Sequence, residues 1–256
     1  MFAIFNYFGC KLENEELYRL IKQTGFESTS MGWCDMNYAD FRYHPELARK
    51  AGLFVENIHV PFTAANDLWL DNLAGNALLD IYLQYVQDCA DFELPTMVMH
   101  LSSGDEPPPF NEIGLDRIKR IVEKAEQKNV NIALENLRKT EYLAYALGNI
   151  NSARLGFCYD SGHHHCWSPH DDLLSKYGHR LMALHLHDND GKKDQHHLPF
   201  DGTMDWDMTM KKLAKTDYKG AISLEVGNFG YEDLTAEAFL LVAYDRAKRL
   251  EEIYHT

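Results

Sequence analysis

Short apolar runs alternate with amphipathic stretches along the chain. Each run has the length and composition of a buried β-strand, and each amphipathic stretch places its apolar residues at helical spacing. The pattern predicts eight strands, at 2–8, 24–29, 53–60, 96–101, 130–135, 154–160, 181–187 and 221–226. It predicts helices between them, at 14–23, 45–50, 66–92, 115–125, 141–147, 205–215 and 234–250.

Strands that alternate with helices in this way are typical of an α/β protein with a parallel sheet. The pattern is consistent with one (β/α)₈ TIM barrel over residues 1–256 or with a doubly wound open sheet. A doubly wound sheet concentrates its ligands at one switch point, whereas polar residues end six of the predicted strands here. Because the carboxyl ends of all barrel strands meet at one face, where active sites lie, we predict a single TIM-barrel domain.

The composition limits the partners that we expect. A formal net charge of −14 argues against a protein that binds nucleic acid through its phosphates, since such proteins depend on Lys and Arg. No uncharged run approaches the ~20 residues of a membrane span, so we expect no membrane partner. Five cysteines without a CxxC pair predict reduced thiols and a cytoplasmic location.

Six predicted strands end in a residue that can bind a metal ion. These residues are His59, His100, Glu135, Asp160, His185 and Glu225. Taken alone, a strand-end Glu often faces solvent and a strand-end His often makes a hydrogen bond in the core, but their joint occurrence favours a metal site. The set Glu135, Asp160, His185 and Glu225 suits Zn²⁺ or Mn²⁺, with Co²⁺ or Mg²⁺ as alternatives. A cation would also relieve the repulsion among three carboxylates.

Further candidate ligands follow these strand ends. His163 comes three residues after Asp160, and a long loop carries Asp194 and His196. Together with His59 and His100, these side chains are sufficient for more than one metal ion. His59 and His100 have an alternative role, because they could instead hydrogen-bond substrate or the ligating carboxylates. The sequence leaves both roles open.

Longer motifs around these residues resemble a known family. The motifs are NIHVPF at 57–62, MHLSSG at 99–104, ALEN at 133–136, YDSGH at 159–163, HLHDNDG at 185–191, HLPFDGTMDW at 197–206 and ISLE at 222–225. They are similar to those of the xylose isomerase-like TIM-barrel superfamily, and within it to the sugar phosphate isomerase/epimerase group. The resemblance extends from about residue 53 to the end of the chain, and it is specific to the superfamily rather than to one substrate.

The resemblance implies a divalent ion held by Glu135, Asp160, His185 and Glu225, with the two glutamates also moving protons next to a substrate carbonyl. It implies an isomerase or epimerase of a small sugar, keto-sugar, polyol or sugar phosphate that acts through an enediolate. The substrate-binding candidates are His59, His100, His163, Arg138 and Trp33. Lys192 and Lys193 are further candidates for sugar or phosphate contacts, although both also fit solvated surface charges.

The superfamily also contains endonuclease IV, a zinc enzyme that cleaves DNA at abasic sites. Its ligand pattern can be placed on His59, His100, Glu135, Asp160, His163, His185, Asp194, His196 and Glu225. The loop after Trp33, which contains Asp35, and the loop after Ser103 are acidic and proline-rich rather than basic. They therefore lack a surface for DNA, which favours the sugar enzyme over the nuclease. A metallo-hydrolase of nuclease or phosphoesterase type and an inosose-type dehydratase remain as alternatives. A non-catalytic barrel that binds a sugar or metal for regulation is disfavoured, because it would not need two metal-facing glutamates. The sequence leaves open the sugar, its phosphorylation, the metal and whether the chain forms a homo-oligomer.

Overall fold

The computed structural model describes residues 1–34 and 41–256, so Asp35 and the rest of the acidic loop after Cys34 lie outside the described residues. Eight parallel strands form one sheet in the order β7-β6-β5-β4-β3-β2-β1-β8. A bridge between Leu186 and Leu224 joins its two ends. The strands are β1 (Phe2–Phe5), β2 (Ser28–Gly32), β3 (Phe54–His59), β4 (Thr96–Met99), β5 (Asn131–Glu135), β6 (Leu155–Asp160), β7 (Leu181–His185) and β8 (Ile222–Leu224). The predicted (β/α)₈ TIM barrel is confirmed.

Helices connect the strands and surround the barrel. They are α1 (Asn14–Gln23), α2 (His44–Lys50), α3 (Leu73–Asp91), α4 (Glu112–Lys128), α5 (Thr140–Asn149), α6 (Ser161–Trp167), α7 (Leu173–Tyr177), α8 (Trp206–Leu213) and α9 (Ala236–Tyr254). Short 3₁₀ turns lie at Phe41–Tyr43, Ala65–Trp69 and Gly178–Arg180. Over the residues that the structure covers, no helix has the length and apolar composition needed to cross a membrane.

The prediction of the second strand was wrong in its bounds. Residues 24–27, predicted as strand, instead end α1 and lead into β2. The Thr24 hydroxyl donates to the carbonyls of Leu20 and Ile21 at 3.1 and 2.9 Å, and Gly25 has a φ of 114°. A left-handed glycine after the last helical turn is a common helix ending, so the strand begins only at Ser28.

One predicted helix differs from the structure, and two helices of the structure were not predicted. The predicted helix at 66–92 is a 3₁₀ turn followed by α3, which begins after Asn72, whose side chain accepts from the Gly75 amide at 2.9 Å. Helices α6 and α7 were not predicted. The first of them begins directly at the end of β6, where the Asp160 carboxylate accepts from the His163 amide at 2.6 Å. Such an N-cap stabilises the first turn of a helix.

Alternate residues of the strands face opposite sides of the barrel wall. One set, such as Met97 and Met99 on β4, packs with the helices in the main core. The other set faces the interior of the barrel, where four small buried side chains form a separate cluster: Val98, Ala133, Cys158 and Ala183. This compact interior supports the side chains that follow it at the strand ends.

Candidate metal centre and substrate cavity

Four strand-end side chains converge at the carboxyl face of the barrel. Glu135, Asp160, His185 and Glu225 each offer one ligand atom, and these atoms lie within 4.8 Å of one another. His185 Nδ1 is central, at 3.0 Å from Glu225 Oε2 and 3.4 Å from Glu135 Oε2. Because Asp160 pairs in register with His185 on the adjacent strand, the convergence follows from the sheet itself.

The residue after Glu135 holds β5 and β6 together at the site. The Asn136 side chain donates to the Asp160 carbonyl at 2.8 Å and accepts from the Asp160 amide at 2.8 Å. This reciprocal pair satisfies the backbone groups of Asp160 where the strand ladder ends. It therefore fixes the direction of the Asp160 carboxylate.

A second group of ligand atoms adjoins the first through Glu135. His59 Nε2 lies 3.0 Å from Glu135 Oε2, and His100 Nε2 lies 3.3 Å from the same oxygen. The Phe62 ring stacks on His100 with the centroids 4.5 Å apart. The structure thus brings His59 and His100, the two residues that the sequence left open between metal binding and substrate binding, against the predicted ligand Glu135.

A third group extends from α6 to the loop after β7. His163 Nε2 and His196 Nε2 lie 3.3 and 3.4 Å from Asp194 Oδ2. The other ring nitrogen of His163 lies 3.1 Å from Glu135 Oε1. All nine residues predicted as ligands are therefore found in one connected cluster.

Asp188 organises the loop that carries Asp194 and His196. Its buried carboxylate accepts four N–H groups at 2.7 to 3.2 Å, from the amides of Asn189, Phe200 and Met204 and from the Trp206 indole. His196 has a φ of 49°, an uncommon left-handed conformation for a residue with a side chain. Its Nδ1 lies 2.8 Å from the Glu225 carbonyl, so the loop is joined to the end of β8.

His187 is a member of the cluster that the sequence analysis missed. Its Nε2 lies 3.1 Å from both oxygens of Asp160, and its ring stacks on His196 with the centroids 4.0 Å apart. Gly162 leaves room for this ring, because a Cβ there would overlap it. The available signal was its spacing: two residues after His185, it projects from the same side of the extended chain.

The charges of neighbouring side chains shift the pKa values within the cluster. Burial alone would raise the pKa of Glu225, but the positive charge on His185 lowers it to about 2. For Glu135, the same cost of burial is outweighed by His100 and His185, so its pKa lies well below the usual range. Burial disfavours charged His163, yet Asp160 and Asp194 raise its pKa well above 6.5. Both glutamates are therefore carboxylates at neutral pH.

The cluster forms the floor of a cavity of about 250 Å³ whose walls include Ser102, Ser103, Arg138 and Trp167. The Arg138 guanidinium lies over the Trp167 ring at 3.9 Å from its centroid and 2.8 Å from the Asp105 carboxylate. Arg138 therefore lines the cavity with its guanidinium held by Trp167 and Asp105. Lys192 and Lys193 are exposed on the loop after β7.

Trp33 does not reach this cavity. Its ring is fully buried, packs edge-on against Phe41 at 4.9 Å and donates to the Asp88 carboxylate at 3.0 Å. A tryptophan held in this way stabilises the contact between β2 and α3 and has no free face for a sugar. The structure thus gives Trp33 a packing role rather than the predicted substrate contact.

Two relatives are similar to this chain in sequence, and both are uncharacterised proteins. One, from Sinorhizobium fredii, is 40% identical over 134 residues, which are 50% of this chain and 43% of the relative. The other, from Methanocaldococcus jannaschii, is 25% identical over 189 residues, which are 67% of this chain and 64% of the relative. The chain therefore matches only 43% and 64% of the length of these relatives.

Solved structures with little sequence identity share the fold. A D-tagatose 3-epimerase-like protein has a TM-score of 0.76 at 19% identity, covering 99% of this chain and 98% of that one. D-psicose 3-epimerase with D-tagatose from Clostridium cellulolyticum H10 has a TM-score of 0.79 at 12% identity, covering 98% of both chains. The IolI protein with a binding zinc atom has a TM-score of 0.78 at 16% identity, covering 99% and 98%.

A family profile described as xylose isomerase-like TIM barrel matches residues 15–243 of this chain. The match includes every residue of the ligand cluster described above. It also agrees with the resemblance that the strand-end motifs indicated. The chain belongs to the xylose isomerase-like TIM-barrel family.

Proposed function

We propose that the protein is a divalent-metal-dependent isomerase or epimerase of a small sugar, keto-sugar, polyol or sugar phosphate. The observation that carries the proposal is the pair Glu135 and Glu225, which approach His185 from strands on either side of it. Two carboxylates facing one site can remove a proton from a substrate carbon and return it. The similarity to a D-tagatose 3-epimerase-like protein and to D-psicose 3-epimerase supports this class of reaction.

The cluster is chemically suited to a divalent ion. Both ring nitrogens of His185 are buried and, among the described residues, lack a hydrogen-bond partner of good geometry, although Nδ1 is close to two carboxylates. Buried polar atoms without partners are rare in proteins, and an ion bound by Nδ1 would provide one. The mixed oxygen and nitrogen set favours Zn²⁺ or Mn²⁺, with Co²⁺ or Mg²⁺ as alternatives. The similarity to the IolI protein, whose structure has a binding zinc atom, supports a divalent metal.

In this proposal Glu225 and Glu135 divide the proton transfer between them. A divalent ion would polarise the carbonyl and adjacent hydroxyl of a bound sugar. The Glu225 side chain is 16% exposed and lines the cavity, so it can reach a substrate C–H. The Glu135 side chain lines the same cavity but is only 1% exposed. Both are ionised before substrate binds, as bases must be. Removal of the proton gives an enediolate, and its return to the neighbouring carbon or to the opposite face gives isomerisation or epimerisation.

Neighbouring side chains would position the substrate in the cavity. Arg138 would donate hydrogen bonds to sugar oxygens, and His59, His100 and His163 border the same space. Trp167 and Phe62 add aromatic surface to the lining of this space. These contacts involve a small molecule, in line with the cavity volume.

The free thiols of all five cysteines support the expected cytoplasmic location.

A second candidate is a metallo-hydrolase of endonuclease IV type. The observation in its favour is that His59, His100, His163, Asp194 and His196 join the four central ligands in one cluster, enough for more than one ion. Against it stands the excess of negative charge, which predicts negligible affinity for duplex DNA at physiological salt. An inosose-type dehydratase shares the first proton abstraction and differs in expelling a β-hydroxyl.

One paired assay separates these candidates. The Mn²⁺-loaded protein is incubated in deuterated water with a panel of sugars and inososes, and in parallel with a duplex containing an abasic site. We expect deuterium at the carbon beside a carbonyl and an intact duplex. Cleavage of the duplex at nanomolar protein would replace the sugar proposal with the nuclease, and loss of water from an inosose would identify the dehydratase.

A further inference from the structure

The substrate cavity has a second lobe on the β1 to β3 side of the barrel. This apolar lobe has a volume of about 350 Å³ and is lined by Phe5, Asn6, Tyr7, Gly32, Cys34, Val60, Pro61 and Thr63. It shares His59, Phe62 and Glu225 with the lobe above the ligand cluster, which we call the polar lobe. The two lobes are therefore adjacent parts of one site.

The walls of the two lobes differ in chemistry. The polar lobe offers the hydroxyl groups of Ser102 and Ser103 and the charges of Arg138 and Asp194. Most side chains of the apolar lobe are hydrocarbon or aromatic, and no described residue that lines it is Lys or Arg. Gly32 contributes no side chain to this lobe, and a Cβ there would meet the Phe5 ring at an ordinary contact distance of 3.5 Å.

The open apolar surface continues to the mouth of the site. The Tyr7 and Phe62 side chains both line the apolar lobe and are both 45% exposed, so this lobe presents aromatic surface that is open to a ligand. Phe62 is held in place by stacking on His100, so its outer face is presented to the apolar lobe in a fixed orientation. Burial of these faces by a ligand would add hydrophobic stabilisation.

Glu225 lies at the junction of the lobes, since it lines both. If Glu225 removes the proton, the reacting carbon must also lie at the junction. A substrate with its carbonyl and hydroxyls over the ligand cluster then directs its remaining end into the apolar lobe. A terminal phosphate placed there would lose water without gaining a cationic partner.

We propose that the substrate carries an uncharged, apolar substituent at the end remote from its reacting carbonyl, as in a deoxy sugar or an alkyl-substituted keto-polyol. The apolar lobe binds this substituent and discriminates against phosphorylated sugars. This inference rests on the proposed function for the position of the reacting carbon. The apolar lobe itself is defined by the side chains that line it.

Equilibrium binding of three matched ketoses tests the inference without requiring turnover. Calorimetry on the Zn²⁺-loaded protein compares D-fructose, 6-deoxy-D-fructose and D-fructose 6-phosphate. We expect the 6-deoxy sugar to bind at least about tenfold more tightly than D-fructose, because the apolar lobe would bury the extra hydroxyl of D-fructose without a partner. The 6-phosphate should bind more weakly than D-fructose. Equal affinities, a preference for the phosphate or no binding of any of the three would overturn the inference.

A pair of substitutions assigns the preference to the lobe. Phe5→Asn replaces an apolar wall and should reduce the preference for the 6-deoxy sugar to less than about threefold. Phe54→Asn, the same change at an exposed site at the start of β3, should leave the preference intact. A preference that survives Phe5→Asn would place the substituent elsewhere. A preference for the 6-deoxy sugar without any exchange of substrate hydrogen with solvent would support this subsite and reject the proposed proton transfer. Exchange without a preference for the 6-deoxy sugar would support the proton transfer and reject the subsite.

Discussion

Two layers of side chains inside this barrel lie only two residues apart along six of the strands. One layer is made of ionisable side chains, and the other is small and largely apolar. The upper layer consists of His59, His100, Glu135, Asp160, His185 and Glu225. Two positions earlier, the same strands carry the lower layer: Asn57, Val98, Ala133, Cys158, Ala183 and Ser223. Since residues two apart face the same side of a strand, the lower layer lies directly beneath the upper one.

The difference shows how the fold separates stability from chemistry. The lower layer is small and largely apolar, so it fills the narrow interior and supports rings such as His185 from below. The upper layer concentrates groups that are costly to bury, and their charges compensate one another only in part. We therefore expect changes in the upper layer to alter metal binding and catalysis, and changes in the lower layer to alter folding.

The largest expected effect is on catalysis by the upper layer. Glu135→Gln keeps the shape of the side chain but removes a ligand and a base, so turnover should fall by about 10²- to 10⁴-fold. The circular dichroism spectrum should match that of the wild type. Glu141→Gln, an exposed glutamate on α5, is the control and should retain full activity. Turnover at the wild-type rate in Glu135→Gln would remove this residue from the mechanism.

The next effect is the stabilisation of the upper layer by metal. Purified protein should carry roughly one to three divalent ions, the range set by the four-ligand and nine-ligand arrangements. Adding the ion at 1,000 times its dissociation constant should stabilise the fold by about 4 kcal/mol, visible as a higher melting temperature. Elemental analysis that finds no metal, combined with an unchanged melting temperature on metal addition, would count decisively against the site.

A smaller effect is expected from overfilling the lower layer. Ala133 is fully buried in the barrel interior, so Ala133→Leu should lower the free energy of unfolding by about 1–3 kcal/mol. Urea denaturation measures the change. Ala144→Leu, at an exposed position on α5, is the matched control and should have little effect. Equal stability of the two variants would mean that the lower layer is not tightly packed.

The smallest effect concerns the pH dependence of stability. Glu56 on β3 reaches towards Ser223 and Ala221, and burial raises its pKa to about 7. Between its unfolded value of 4.5 and about 7, the folded protein holds this proton and the unfolded chain does not, so stability falls as pH rises through that window. Glu56→Gln should flatten this fall in urea denaturation from pH 4.5 to 8. Parallel curves for wild type and variant would assign the pH dependence to other groups.

Much of the upper layer could be predicted from the sequence because strand ends are local signals. A short apolar run that ends in His, Asp or Glu is visible without knowledge of the fold, as at Met99–His100 and Leu134–Glu135. The roles of His187 and Trp33 depend on three-dimensional packing instead. The spacing of His187 from His185 was a signal, but its contact with Asp160 and the room that Gly162 leaves for its ring are visible only in the structure. Trp33 was misassigned because its partner Asp88 is distant in the chain.

The lower layer and the apolar lobe could not be predicted for a related reason. Small interior residues such as Ala133 and Ala183 do not differ in sequence from those of any buried strand. The apolar lobe is assembled from β1, β2 and the end of β3, where the sequence carries few polar signals. Helix α6 escaped prediction because its stretch of histidines has no helical periodicity, and it is stabilised by the Asp160 cap.

Solvent exchange tests the central claim most directly, namely that the paired carboxylates of the upper layer transfer protons at carbon. Glu135 and Glu225 are ionised and border one cavity, so the abstracted hydrogen should exchange with water during turnover. The reaction run in deuterated water with the metal-loaded protein should therefore place deuterium at the product carbon next to the carbonyl. Product formed without deuterium would contradict this account and indicate a hydride shift instead.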